Sequence, residues 1–175
     1  TPADEDKGLY QDLPKHRPEN YNEEDISDKP LSIAGKPLLT EEDETTIENV
    51  RRRQILTLTS LDRSIAEVMA KLEETGEMDN TVVIFISDNG KHWGEHRMDS
   101  KSTAYEESVK VPFAIRYPPL IPAPYIEDGL VANIDIAPTL YELSETKAPN
   151  AMDGLSLVPL LNGTDDWRTC LLLEA

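Results

Sequence analysis

The chain has 175 residues, 38% hydrophobic and 29% charged, with a formal net charge of −17. That length supports one domain with a core, and a surface this acidic repels nucleic acid and anionic membranes at long range. No apolar run approaches the ~20 residues of a membrane span, and the single cysteine, Cys170, excludes an internal disulfide.

Residues 1–39 carry no period and are punctuated by Pro2, Pro14, Pro18, Pro30 and Pro37. They are expected to form an extended segment packed on a larger body, anchored by Leu9, Tyr10, Leu13, Tyr21 and Ile26, because a free structureless loop this long is uncommon in a compact domain. No signal peptide or initiator Met stands at Thr1, which is the pattern of a mature product or an internal piece. Thr40-Glu41-Glu42-Asp43 reads as a capping box opening a helix. Ile47, Val50, Leu58, Leu61, Ile65, Val68 and Leu72 then mark its apolar face, one or more of Arg51–Arg53 pairs with nearby carboxylates, and Gly76 ends it. Val82 to Ile86 is a short apolar run bounded by turn residues, the pattern of a strand buried on both faces in a parallel sheet.

Ser87-Asp88-Asn89-Gly90 ends that strand, at the edge where open α/β sheets bind ligands. Further on, Ala104–Lys110 is expected to hold a helical turn and Val111–Tyr117 a second buried strand. Asp135 is expected to cap a helix running to Ser144, with Leu140 and Leu143 inward. Met152-Asp153-Gly154 reads as a turn, Ser156–Leu161 as a short helix, and Leu171–Leu173 as a third strand that buries Cys170 as an inert thiol.

The chemistry is concentrated between Asp88 and Lys101. A carboxylate and an amide oxygen side by side suit a hard divalent cation, Ca²⁺ or Mg²⁺ rather than Zn²⁺. Two ligands are not a site, because Ca²⁺ takes about six to eight oxygens, and Asp-Asn-Gly taken alone reads first as a plain turn. His92 and His96 are four apart, but Gly90 and Gly94 argue against a helical metal pair; they read better as hydrogen-bond donors to a ligand. Lys101 supplies a compact positive charge for an anion. Lys91, Arg97 and Lys101 balance Asp88, Glu95 and Asp99, so this loop is neutral within an acidic chain, and a bound cation would make it a locally positive focus.

Ser87-Asp88-Asn89-Gly90, Gly94-Glu95-His96-Arg97, Lys101, Tyr105-Glu106-Glu107 and Lys110-Val111-Pro112 closely resemble the type I sulfatases of the alkaline-phosphatase-like fold. Asn20-Tyr21-Asn22-Glu23, Ser27-Asp28-Lys29-Pro30, the run Leu130 to Thr139 and Met152 to Leu157 resemble the N-acetylglucosamine-6-sulfatase branch. The resemblance implies an α/β fold, here a partial, mostly parallel sheet flanked by helices. It implies that Asp88 and Asn89 bind Ca²⁺, with Mg²⁺ the lesser alternative, that Lys101 contacts the sulfate and assists the leaving group, and that His92 and His96 line the sugar pocket. The segment between His96 and Lys101 is one residue shorter than that branch leads one to expect.

The family nucleophile is a formylglycine made from a Cys/Ser-x-Pro-x-Arg motif, and nothing in these 175 residues matches it. The resemblance therefore implies the C-terminal portion of a sulfatase catalytic domain, with 1–39 extended and 40–175 the α/β part, and with formylglycine, further metal ligands and a sulfate-binding His in a missing N-terminal half. The implied substrate is a sulfated amino sugar or glycan, and the implied compartment is secreted, periplasmic or lysosomal. A phosphate mono- or diester hydrolase of the same superfamily is the alternative enzyme, although Asn89 stands where such enzymes often carry His; a truncated or binding module without chemistry is the non-enzyme alternative.

Overall fold

The computed structural model describes residues 2–173. They form two compact units, each discontinuous in sequence: residues 2–75 with 87–111, and residues 76–86 with 112–173.

The first unit is built on one long helix. After a 3-10 turn at Asp4–Asp6 and a one-turn helix α1 (Leu31–Ala34), helix α2 runs over Glu41–Thr75. Its start is the expected capping box: the Asp43 carboxylate accepts the Thr40 N–H at 2.8 Å, and the Thr40 hydroxyl accepts the Asp43 N–H at 3.2 Å. These bonds satisfy donors that a helix N-terminus otherwise leaves open, and those from Thr40 hold the Asp43 carboxyl below its ordinary range. Gly76 follows the helix at φ +74°.

The burial of α2 differs from the expected stripe. Ile47 and Leu56 are its buried residues, whereas Leu58, Leu61 and Val68 are exposed. Arg52 donates to the carbonyls of Lys7, Leu9 and Tyr10, so backbone of the N-terminal segment is bonded to the middle of the helix. Arg51 does pair with Glu48 at 3.2 Å. Of the expected anchors, Ile26 is buried and Leu13 and Tyr21 are half-buried, while Leu9 and Tyr10 are exposed. Asp6 supplies the polar counterpart: it is 2% exposed and takes a two-pronged contact from Arg63 at 2.9 and 2.8 Å, which holds its carboxyl below the usual range. The one-turn helix α3 (Glu106–Val109) closes this unit.

In the second unit, β1 (Val83–Ile86) and β2 (Phe113–Arg116) pair antiparallel, Val83 opposite Arg116 and Ile86 opposite Phe113. This corrects the expected parallel arrangement. An apolar run of this length is compatible with either pairing, and the helix between these strands, α3, is a single turn, too short to carry a parallel crossover over the sheet. Phe85 is exposed, so β1 is not covered on both faces by the described residues. Helix α4 (Ile136–Leu143) and the one-turn α5 (Val158–Leu161) complete the unit, whose core contains Leu157, Leu160, Thr139 and Asp135. Asp135 stands at the N-cap position of α4 without capping it; its carboxylate instead accepts the N–H groups of Ala132 and Leu155, each at 2.8 Å. Leu140 is exposed, and Thr139 takes the inward place expected of it. The expected strand Leu171–Leu173 has no regular structure, and Cys170 is exposed rather than buried.

No helix among the described residues is long and apolar enough to cross a membrane.

Candidate functional site

Residues 87–101, in the first unit, hold the candidate site. The loop is a narrow hairpin. The His92 N–H donates to the Ser100 carbonyl at 2.9 Å, the Gly94 N–H to Met98 at 2.7 Å, and the Met98 N–H to Glu95 at 2.9 Å across the tip. Its base is tied down where the Gly90 N–H donates to the Ser108 carbonyl at 2.8 Å. Gly90 is required by proximity, since a Cβ there would lie 2.1 Å from the Glu107 carbonyl oxygen. Gly94 is required twice over: its φ is +112°, and a Cβ would lie 2.2 Å from the Tyr21 ring.

The hairpin brings together two of the residues singled out from sequence. The Lys101 ammonium donates to the Asn89 amide oxygen at 2.8 Å, across twelve residues. Asn89 donates in turn to the Gly90 carbonyl at 2.9 Å, which orients its amide with the oxygen toward Lys101. Asp88 is exposed, and one of its carboxylate oxygens accepts the Asn89 N–H at 2.9 Å. A carboxylate, an amide oxygen and an ammonium are thus gathered on one short stretch. In kind they suit a hard cation beside an anion; in number they fall short, because no group of three or more His, Cys, Asp or Glu able to hold a metal occurs among the described residues.

The histidines are placed differently from the expectation that they line a pocket. His92 is 0% exposed and His96 7%. His92 Nε2 lies 2.8 Å from the Thr103 hydroxyl, and its Nδ1 has no hydrogen-bond partner among the described residues. Burial pushes the His92 imidazolium below its ordinary value near 6.5, against the pull of Glu107 and Glu95. A base that is depressed on folding takes up more protons when unfolded. Its contribution to stability is therefore present above about 6.5 and lost as pH falls from there toward the lowered folded value. His92→Gln is expected to flatten that part of the stability–pH curve, as read by urea midpoints between neutral pH and pH 5.

Around His96 the structure supplies partners from the runs that carry the family resemblance, Asn20, Glu23 and Glu107, to which the sequence assigned no role. Its Nδ1 lies 2.6 Å from the Glu23 carboxylate, and the Asn20 amide nitrogen lies 3.3 Å from its Nε2. The same Asn20 amide donates to Glu107 at 2.7 Å. Burial pushes the Glu107 carboxyl up, but its own N–H, Asn20 and the two histidines outweigh that and hold it below its ordinary range. Glu95, 4% exposed, accepts the Trp93 N–H at 2.5 Å and pairs with His16. Asn20, Glu23 and His16 lie in a stretch without period, so no signal of spacing could have marked them.

The chain matches the family model described as Sulfatase over residues 9–146. It is similar to the N-acetylglucosamine-6-sulfatase of Homo sapiens, 33% identical over 182 aligned positions that cover 99% of this chain and 32% of that protein. It is also similar to a solved structure of a protein in complex with its substrate, D-glucosamine-2-N,6-O-disulfate, at 35% identity and a TM-score of 0.61, covering 65% of this chain and 24% of that one. The phosphonate monoester hydrolase of Agrobacterium radiobacter is similar at 30% identity and a TM-score of 0.66, covering 74% of this chain and 26% of that one. The chain thus spans about a third of the length of the curated relatives it matches over its full extent.

Proposed function

This chain belongs to the sulfatase family and carries part of its alkaline-phosphatase-like α/β fold, and from that premise we propose that it is the C-terminal portion of a catalytic domain that hydrolyses sulfate esters on an amino sugar or sulfated glycan. The observation that carries this reading is the contact of Lys101 with Asn89. A sulfate ester presents anionic oxygens and, as it breaks, a developing negative charge on the leaving oxygen; a compact cation held beside a hard oxygen donor is suited to both.

In this reading Asp88 and Asn89 hold Ca²⁺ through their side-chain oxygens, and Mg²⁺ is the lesser alternative. Such an ion, when bound, supplies positive charge against the sulfate oxygens. Asp88 is open to solvent, Asn89 is oriented by its own bond to Gly90, and Lys101 donates to the anion. His92 and His96 are buried side chains of the hairpin itself, and in this reading they support the sugar side of the site. The nucleophile, a formylglycine, and the remaining metal ligands lie outside these 175 residues, since no Cys/Ser-x-Pro-x-Arg occurs among them. The compartment that goes with the family is secreted, periplasmic or lysosomal.

The similarity to a phosphonate monoester hydrolase favours one second reading, a phosphoryl or phosphonyl ester hydrolase. Asn89 in place of a histidine, which would better suit a second metal, weighs against it.

The first test is the coding sequence upstream of Thr1. An in-frame Cys-x-Pro-x-Arg or Ser-x-Pro-x-Arg within a few hundred codons is the expected result; a start codon immediately before Thr1 overturns the reading. The intact protein is then assayed on para-nitrophenyl sulfate and para-nitrophenyl phosphate, and preference for the sulfate by tenfold or more is expected. The isolated 175-residue chain is expected to show no turnover, and to bind a hydrophobic dye through the exposed Leu58, Leu61, Val68, Ile126 and Leu172.

A further inference from the structure

We infer that His96 and Arg97 are positioning residues: with Glu23 and Asn20 they pin the tip of the site hairpin to the segment 20–24, and this fixes the limb that carries Lys101. The fastening stands on geometry alone; its effect on turnover rests on the sulfate-ester reading.

The tip itself is the first observation. His96 and Arg97 both have positive φ, +53° and +59°, between Glu95 and Met98, which close the turn by a hydrogen bond. Two successive residues of this kind are what a tight hairpin turn of the I′ type needs, and the pair that adopts them most readily is Asn-Gly. His-Arg is a costly choice at these two places. Strained backbone of this kind persists where the surroundings enforce it, and is informative when it sits at a site.

The surroundings that enforce it are the second observation. The three nitrogens of the Arg97 guanidinium donate to the carbonyls of Glu23 at 3.0 Å, Lys36 at 2.7 Å and Glu24 at 2.7 Å. The His96 N–H donates to the Asn20 carbonyl at 2.9 Å, and the Gly94 carbonyl accepts the Asn22 N–H at 2.9 Å. With the Asn20 amide donating to Nε2, the His96 imidazole presents its Nδ1–H to Glu23 at 2.6 Å. Both side chains of the tip are thus spent on the segment 20–24 and, for one Arg97 nitrogen, on Lys36, whereas Asn-Gly would satisfy the turn and make none of these side-chain contacts.

The third observation is how the tip reaches the chemistry. The cross-limb bonds His92 to Ser100 and Gly94 to Met98 make the hairpin one braced piece. Lys101 leaves that brace directly after Ser100, and Asn89 enters it just before Gly90. The Asn89 limb is also held at its base by the Gly90 N–H to the Ser108 carbonyl, so a displaced tip carries the Ser100–Lys101 limb against a fixed Asn89.

The deciding variant is the double substitution His96→Asn with Arg97→Gly in the intact protein. It installs the favoured turn pair and removes both anchors. The expected result is a melting temperature near that of wild type, since relief of the turn strain offsets the lost side-chain bonds, faster amide exchange across residues 88–101, and a kcat lower by about 10- to 100-fold, the range seen when outer-shell support is removed. KM is expected to stay within about threefold, with the loss equal on para-nitrophenyl sulfate and on glucosamine 6-sulfate. Glu23→Gln, a milder change, is expected to give the same pattern at smaller size. Wild-type kcat in the Asn-Gly variant overturns the inference, and so does a loss confined to the sugar substrate, which would mark His96 or Arg97 as a direct contact. If the wild-type protein turns over no sulfate ester, the sulfatase reading falls separately, and unchanged exchange across 88–101 in the variants is then the result that overturns the fastening.

Discussion

Lys101→Ala in the intact protein is expected to lower kcat on sulfate esters by about 10²- to 10³-fold, the size found when one preorganised donor to a developing oxyanion is removed. The side chain is exposed and, among the described residues, donates only to Asn89, so the melting temperature should move by less than about 2 °C. Loss of kcat without loss of fold separates a catalytic lysine from a structural one. The same variant frees the Asn89 amide oxygen from a competing cation. Ca²⁺ affinity, measured by calorimetry on the folded protein, should therefore hold or rise in Lys101→Ala and fall in Asp88→Ala. A Lys101→Ala enzyme with wild-type kcat would remove Lys101 from the mechanism, and weaker Ca²⁺ binding in that variant would place it among the supports of the metal instead.

Asp135→Ala is expected to cost about 3–5 kcal/mol of stability, the range for breaking a buried ion pair from one side. Asp135 is 0% exposed; it pairs with Arg168, accepts two backbone N–H groups at 2.8 Å, and its own carbonyl accepts the Thr139 hydroxyl at 2.6 Å. Thr139 passes the network on by accepting the Leu157 N–H at 2.9 Å. Alanine would leave the Arg168 charge without its carboxylate and both N–H groups without an acceptor. Set against a typical domain stability of about 5–15 kcal/mol, that loss is enough to unfold a marginal protein. Replacing Arg168 by Met in the same background should recover part of the cost, because an apolar side chain leaves no charge stranded. Denaturant midpoints of the wild type and of the two variants decide this. A shift below 1 kcal/mol for Asp135→Ala would mean that water replaces the carboxylate.

What was legible in the sequence is what depends on neighbours in the chain. The Thr40–Asp43 capping box is a spacing of three and forms as read. The apolar run before Ser87 forms β1, and the strand after Lys110 forms β2. Asp88, Asn89 and Lys101 could be picked out because their residue types converge on one chemistry within a short loop, and Lys101 does meet Asn89. Antiparallel pairing was not legible, because four apolar residues bury in the same way beside a partner of either direction. The supports of His96 were illegible for a different reason. Asn20, Glu23 and Glu107 are polar residues whose meaning comes from a partner 73 to 87 positions away. Asp135 was marked as a cap by its position before a helix, yet Leu155 and Arg168, twenty and more residues later, give its carboxylate another use.

The same separations bear on how the polypeptide leaves the ribosome. The segment 16–24 finds near partners at residues 39–48, but its partners at residues 94–107 must wait while more than seventy further residues are polymerised, about 4–15 s at ordinary elongation rates. Helix α2 can form locally in that interval, but the segment 20–24 has no hairpin tip to hold until residue 97 has emerged and the intervening loop has closed, the slow kind of contact in any folding reaction. Nascent chains arrested before residue 97 should therefore be cut readily by protease between residues 10 and 30, while chains arrested well past residue 111 are protected there.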